Sequence, residues 1–576
     1  MRNSDSRMRA HNFRRRPSRA IALWLLICVA AVACSSNSES AEEDSSTQSI
    51  ASDASGADDS SATAPAAYPE EGPPGDPAQS IDRADVDAAI EEFEPIAQDA
   101  LAQTGVPGMS VAVIFDDEVV FTGGYGVREL GAEEPVDADT VFQLASVSKP
   151  VGSAVVASIV GDDLIEWDQP VTEINPTFEL ADPWVTEHVT FADLYSHRSG
   201  LPDHAGDLLE DLGFDRQAML EGLRNYPLSP FRATYHYTNA GLTEAAITAA
   251  EAAETTWEDA STERLYEPLG MSNTSSSFDD YMAADDRAVP HVRDEQDEWI
   301  VTPDQRNPQA QSPAGGASST ANDMAQFMRM ELTSGMFDGE EIVPEEALLQ
   351  THEPHMATGP PRSPSARSSF YGLGWNVGYD DQGRTQLSHA GAFALGAATT
   401  IKMVPNENLA VVVLTNGQPI GLDPAMVDVF IDLATDAEVS RDWVGLYGEL
   451  IEATIYGPPE VDYSQAPADP DPARELEAYV GEYDSDIYGT LNIAEGSDGE
   501  LTLTVGPDED TFTLQHFDGD TFWFMPTGGN NIGENALYPT GVLFDVAEDE
   551  EPAESVTVEW LEGQSPGLGI GTFTRS

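Results

Sequence analysis

The stretch Phe142-Gln-Leu-Ala-Ser146-Val-Ser-Lys149-Pro150 runs into the small and apolar segment Val151 to Val160 and stops at Gly161. It constrains this chain more than any other. The apolar segment reads as a helix, and helical residues three apart share a face, so Ser146 and Lys149 would set a hydroxyl beside an amine. That is a nucleophile next to a base. With Ser146 at the first turn, the positive end of the helix dipole faces it, favouring an alkoxide and opposing protonation of the lysine. Pro150 fits, because an early helical position has no intrahelical partner for its N–H. The plain alternative is a helix N-terminus carrying a surface lysine. Composition separates the two: the chain has two lysines, Lys149 and Lys402, and arginine carries the remaining positive charge.

A chain of 576 residues with 40% hydrophobic content has room for roughly two to four domains and a large core. Its formal net charge of −76, with arginine in place of lysine, resembles proteins of salt-adapted organisms, whose acidic surfaces stay hydrated in concentrated salt. Charge of this size bears on solubility and not on fold. Nucleic acid is excluded as a partner, since phosphates would be repelled and no basic patch with interleaved aromatics occurs.

The N-terminus reads as an export signal. Arg14-Arg15-Arg16 and Arg19 precede a short apolar run, Ile21 to Ala33, too short to span a membrane. Ala31-Val32-Ala33-Cys34 follows, with small residues before a cysteine, as in the lipobox of bacterial lipoproteins. The expectation is a signal peptide over 1–33 and lipidation of Cys34, which would tether the protein to a membrane of the cell envelope without spanning it. The other cysteine, Cys28, lies inside the signal, so a disulfide within the mature chain is excluded.

Residues 34–83 are rich in Ser, Ala, Asp, Glu and Pro and predict a disordered acidic tether. Order is expected from Ala84. Val86 to Leu101 has helical apolar spacing, and Met109 to Phe115 with Val119 to Tyr125 reads as a hairpin turning at Asp116-Asp117. Thr320 and Asp323 are spaced as a capping box, Leu409 to Leu414 is a strand, and Pro424 to Ile455 is helical. Helices and strands in blocks predict an α+β or α/β domain over 84–456. A proline-rich connector, 457–473, leads to 474–576. There Leu501 to Val505, Phe512 to Leu514, Thr521 to Phe524 and Val556 to Val558 read as strands, with hairpin turns at Asp498-Gly499 and Asp518-Gly519. Short strands at regular spacing predict a small antiparallel barrel or sandwich.

Two downstream groups supply partners for Ser146. Tyr237-Thr238-Asn239 offers a phenol that could take the serine proton, its phenolate favoured by a neighbouring lysine, and a carboxamide that could bind a substrate amide oxygen. Taken alone, it reads more readily as packing in a turn. His389-Ala390-Gly391-Ala392 offers a strand that substrate backbone could approach at Gly391. The N–H groups of Ala392 and Ser146 could together form an oxyanion hole. Alone, it reads as an ordinary strand with a satisfied histidine.

The order and spacing of these groups resemble the serine hydrolases of the penicillin-recognising family: class C β-lactamases, low-molecular-weight penicillin-binding proteins, and related esterases and D-amino-acid peptidases. Asp193-Leu-Tyr-Ser-His-Arg-Ser-Gly-Leu-Pro202, Gly315-Gly-Ala317, Tyr371-Gly-Leu-Gly-Trp375 and Val411-Val-Val-Leu-Thr-Asn416 also look like family segments, and the tail looks like the small β-barrel some members carry. The resemblance implies an α+β fold with a β-lactamase/transpeptidase-like antiparallel sheet flanked by helices, an all-helical subdomain, and a C-terminal antiparallel β-barrel. It implies an acylated Ser146, Lys149 and Tyr237 as bases, and Asn239, His389, Gly391 and Ala392 at the substrate. Classical members have lysine where this chain has His389. Histidine is charged only near or below a pKa of about 6.5, which favours esters or peptides without an obligatory carboxylate.

The expected activity is hydrolysis of an ester or amide through an acyl-enzyme, with β-lactam hydrolysis or D,D-carboxypeptidase action as one alternative and a catalytically silent ligand-binding protein as the other. Substrates are small-molecule esters, lactams or peptides, and no metal or organic cofactor is implied. His352-Glu-Pro-His355 reads as a loop pair and not as a metal site, and His197 and His204 as loop structure near the cleft.

Overall fold

The computed structural model describes residues 79–576, apart from 295, 362, 364, 458, 460, 497–498, 527–537, 548–551, 564 and 566. The signal, Cys34 and most of the expected tether lie outside the described residues, as does Asp498. Helix α1 (Arg83–Thr104) begins at a capping box in which Asp82 accepts from Ala84 N and Asp85 N, while Asp85 accepts from Asp82 N. It ends at Gly105, whose φ of +71° stops the helix as a left-handed cap. Two acidic residues make the hairpin turn foreseen after it: Asp116 and Asp117 have φ of 49° and 63°, the hand that matches strand twist.

The sheet has eight antiparallel strands: β1 (Gly108–Phe115), β2 (Glu118–Gly126), β3 (Met356–Ala357), β4 (Phe370–Tyr371), β5 (Asn376–Tyr379), β6 (Thr385–Phe393), β7 (Ala397–Val404) and β8 (Leu409–Thr415), in the order β2-β1-β8-β7-β6-β5-β4-β3. Every residue of β1, β7 and β8 is buried, so these central strands are covered on both faces. Met109, Val111, Val113 and Phe115 pack with α1 and the helix Leu422–Asp436, whereas Ala112 and Ile114 join the core on the other face of the sheet. The alternation of strand side chains creates two cores from one sheet.

Helix α2 (Ser148–Gly161) is the Ser-x-x-Lys helix. Its residues Ser148 to Ile159 are all buried. Between Gln143 and His291 every regular element is helical, which is the all-helical subdomain. It includes α3 (Asn239–Ala252), which packs on α2. Thr320 caps α4 (Ala321–Leu332), accepting from Asp323 N. The Asp323 carboxylate does not complete the box; it accepts from Asn273 N and Thr274 Oγ1 and ties in that segment instead. The helical stretch expected over Pro424 to Ile455 divides into α5 (Leu422–Asp436), closed at left-handed Ala437, and α6 (Trp443–Thr454), opened by Asp442.

The connector packs on the C-terminal domain, where Tyr463 is buried with its ring centroid 4.9 Å from Phe517. That domain is a closed antiparallel barrel of β9 (Gly481–Ser485), β10 (Gly489–Glu495), β11 (Leu501–Val505), β12 (Asp510–Asp518), β13 (Thr521–Phe524), β14 (Thr540–Asp545), β15 (Ser555–Val558) and β16 (Thr572–Arg575). Closure through Tyr483 opposite Arg575 removes the sheet edges. The strand β12 runs through Asp518, so the turn falls at Gly519-Asp520.

Candidate active site

Ser146 sits in a tight 3-10 turn, Ala145–Val147, immediately before α2. Ala145 has φ +46°, a left-handed conformation that costs an alanine ~1–2 kcal/mol and that the surroundings must hold. They hold it from two sides. Leu144 N donates to Ala317 O (2.9 Å) and Ala317 N to Ser148 Oγ (2.9 Å), while Thr399 Oγ1 on β7 donates to Leu144 O (2.7 Å). A Cβ at Gly391 of β6 would lie 2.2 Å from Leu144 O and 2.8 Å from Ser146 N. Only glycine lets the strand approach the serine turn so closely.

Lys149 is fully buried, and its Nζ donates to Ser146 Oγ (3.0 Å), Asn239 Oδ1 (2.6 Å) and Ala314 O (2.8 Å). Three acceptors about one amine are the coordination of an ammonium, and a buried charge requires such partners. Ala314 comes from the turn Ser312–Gly316, which lies against α2 and so brings its carbonyl to the lysine. Tyr237 OH is 2.8 Å from Ser146 Oγ, and Lys149 Nζ lies 4.5 Å from the Tyr237 ring centroid. The serine oxygen therefore touches both the ammonium and the phenol.

Asn239 opens α3 with its carboxamide committed at both ends: Oδ1 to Lys149, and Nδ2 to Asp207 Oδ2 (2.8 Å). The same Asp207 oxygen lies 2.7 Å from His204 Nδ1. Asp203 accepts from Tyr237 N (2.8 Å) and contacts His236 Nδ1 (3.0 Å). His197, whose Nδ1 accepts from Thr238 N (3.2 Å), packs its ring on Tyr237 and Tyr371.

His389 is wholly buried. Its Nδ1 lies 2.8 Å from Ala390 O and its Nε2 2.9 Å from Tyr371 OH, so the proton belongs on Nδ1 and the tyrosine donates to Nε2. Burial, reinforced by the charge on Lys149, pushes its pKa down to about 3; the same causes, in the same order, hold His197 well below the ordinary range. Both rings are neutral at physiological pH. Ala392 is exposed on the same strand, beyond the segment paired with β5.

Ser146, Lys149, Tyr237, Asn239 and Gly391 are thus brought together, and His389 stands behind them as a neutral neighbour of Tyr371. Asp203, Asp207, Ala314 and Tyr371 were not singled out from the sequence as parts of the site. The His352 and His355 rings turn to different partners, Glu331 (2.8 Å) and Gln350 O (3.0 Å).

A family model described as beta-lactamase matches residues 93–435, and one described as a domain of unknown function (DUF3471) matches residues 465–563. An unguisins hydrolase of Aspergillus violaceofuscus is 29% identical over 80% of this chain and 88% of its own. Penicillin-binding protein 4 of Amycolatopsis lactamdurans is 26% identical over 54% of this chain and 81% of its own. Among solved structures, the octameric penicillin-binding protein homologue from Pyrococcus abyssi shares the fold, with a TM-score of 0.54 at 18% identity over 81% of this chain and 98% of that one.

Proposed function

Since the chain belongs to the beta-lactamase family and is a hydrolase of that family, we propose that it is a serine hydrolase that forms an acyl-enzyme on Ser146 and cleaves a neutral ester or amide. The observation that carries this reading is the pair of contacts on one oxygen: Lys149 Nζ at 3.0 Å and Tyr237 OH at 2.8 Å from Ser146 Oγ. The Lys149 ammonium favours the Tyr237 phenolate, which takes the Ser146 proton as Oγ bonds to the substrate carbonyl carbon. The N–H groups of Ser146 and Ala392 hold the resulting oxyanion. Tyr237 returns the proton to the departing alcohol or amine as its bond to carbon breaks, leaving the acyl group on Ser146. Water, deprotonated by Tyr237, then releases the acid and restores the serine.

A neutral His389 offers no fixed cation to a substrate carboxylate, which favours esters and amides lacking one over the classical lactam and D,D-peptide substrates. The unguisins hydrolase among the relatives supports hydrolysis as the activity. A catalytically silent binding protein is disfavoured, because each catalytic position holds a competent group. Ser146→Ala is expected to abolish turnover of a chromogenic ester while leaving the unfolding transition unchanged; retained turnover would refute the assignment.

The proposal includes export and anchoring through Cys34, supported by Arg14-Arg15-Arg16, the apolar run to Ala33 and the small residues before the cysteine. Cys34→Ser is expected to move the protein from the membrane fraction to the soluble exported fraction, and unchanged fractionation would contradict the anchor.

A further inference from the structure

Tyr237 carries the proton in this scheme, and a single residue holds the chain on both sides of it. The carbonyl of His197 accepts from His236 N (3.0 Å), and its imidazole Nδ1 accepts from Thr238 N (3.2 Å). The imidazole also lies against the Tyr237 ring, 4.6 Å between centroids, and is closed in by Tyr371 at 4.7 Å and by Tyr235, edge-on, at 5.7 Å. His197 is 1% exposed and sits at φ +58°, a left-handed conformation that histidine and asparagine enter more readily than most side chains. An accepting Nδ1 fixes the tautomer: the proton is on Nε2, and that nitrogen is buried with no hydrogen-bond partner among the described residues. Leaving a buried N–H unpaired is costly, so the imidazole is kept for its other nitrogen and for its flat face. Burial, and after it the charge on Lys149, keep the ring neutral.

We propose that His197 is the positioning residue of the base: by binding the N–H groups on either side of Tyr237 and backing its ring, it holds the phenol oxygen on Ser146 Oγ. The other contacts on Tyr237 secure its own peptide groups, Asp203 Oδ1 accepting from its N–H (2.8 Å) and His204 N donating to its carbonyl (2.8 Å). Lys149, with Nζ 4.5 Å from the same ring centroid, supplies charge. A neutral imidazole supplies what these do not, an acceptor and a face without a second charge. Protonated, it would lose the acceptor and set an N–H against the Thr238 N–H. The role also accounts for the residue type. Asparagine would offer an acceptor and tolerate the left-handed backbone but has no ring, while phenylalanine has the ring and no acceptor.

The inference rests on the reading of Ser146 and Tyr237, and its test separates the two. The full chain is labelled with a fluorophosphonate: Ser146 Oγ bonds to phosphorus, fluoride leaves, and the serine proton passes to Tyr237. Intact mass against time gives kinact and KI, with the unfolding midpoint of each variant measured alongside. His197→Phe is expected to lower kinact by about thirtyfold with KI unchanged, since it displaces the base and not the reagent. His197→Asn, which restores an acceptor for Thr238 N, is expected to stay within about fivefold of wild type. In a Tyr237→Phe background, where no phenol remains to be placed, His197→Phe is expected to cause no further loss. Tyr281→Phe, which removes a buried hydroxyl donating to Ala288 O (2.7 Å), is expected to leave kinact at the wild-type value. Wild-type kinact in His197→Phe, an equal loss in Tyr281→Phe, or additivity of His197→Phe with Tyr237→Phe would overturn the inference alone. A loss beyond about tenfold in His197→Asn would do the same, even with a His197→Phe chain that does not fold. A wild-type chain that takes no label would overturn the Ser146 reading, and the inference with it.

Discussion

Lys149 and Lys402 are the two lysines of the chain, and both are buried against oxygen acceptors. Lys149 meets Ser146, Asn239 and Ala314; Lys402, on the opposite face of the sheet, pairs with Asp428, which also accepts from Tyr447 OH. Near the second pair lies Asp423, fully buried and accepting from Thr400 Oγ1 (2.7 Å). Burial pushes its carboxyl up to about 7. Between its unfolded pKa, about 3.9, and the folded value, the native state holds a proton that the unfolded chain has lost. Its contribution to stability is therefore full below about pH 4, declines as pH rises, and above about pH 7 is lost by on the order of 4 kcal/mol. Asp423→Asn is expected to raise the denaturation midpoint relative to wild type at pH 8 and to narrow that advantage at pH 5; an advantage independent of pH would contradict the assignment. Ser146 and Lys149 were legible because helical spacing is local and lysine is rare here. Asp207 was not: it is one of 102 acidic residues and meets Asn239 across 32 positions of chain. His389 was legible as a position in a motif, but its burial beside Tyr371 depends on a tertiary contact that no spacing reveals.

At the scale of elements, the site is a junction of three pieces that cannot move independently: the Ala145–Val147 turn, strand β6, and the start of α3. Gly391 marks where two of them touch. Gly391→Ala would press a methyl against Leu144 O, Ser146 N and Thr399 Oγ1, none of which is the flexible end of a long side chain. Displacing β6 from the serine turn by even about 1 Å is expected to lower kcat/KM by about a hundredfold, with the helical content by circular dichroism unchanged. Activity within twofold of wild type would show that the strand has slack. The hairpin at Asp116-Asp117 and the apolar run of β8 were readable from turn chemistry and strand runs. The division of the last helical stretch was not, because Ala437 ends α5 in a left-handed conformation without a glycine to announce it.

Over the whole molecule, one continuous core joins the helical side of the sheet to the barrel interior, where Tyr479, Phe522 and Phe544 cluster. The barrel was foreseen from its short alternating strands. Its seat on the helical subdomain was not, since Ser565 reaches Asp203 O across 362 positions of chain. A net charge of −76 surrounds this assembly, and self-repulsion on that scale opposes compaction. Raising sodium chloride from about 0.1 M to about 3 M, where the screening length falls below about 3 Å, is expected to raise the unfolding temperature; a fall would mean that the acidic surface is not the limiting term. The central claim is tested most directly by intact mass of the chain from Ala84 to Ser576 after incubation with a fluorophosphonate, with peptide mapping and Ser146→Ala in parallel. The account predicts one phosphonyl adduct, on the Ser146 peptide, absent from the variant. An adduct on another serine, or none on a protein shown to be folded, would contradict it.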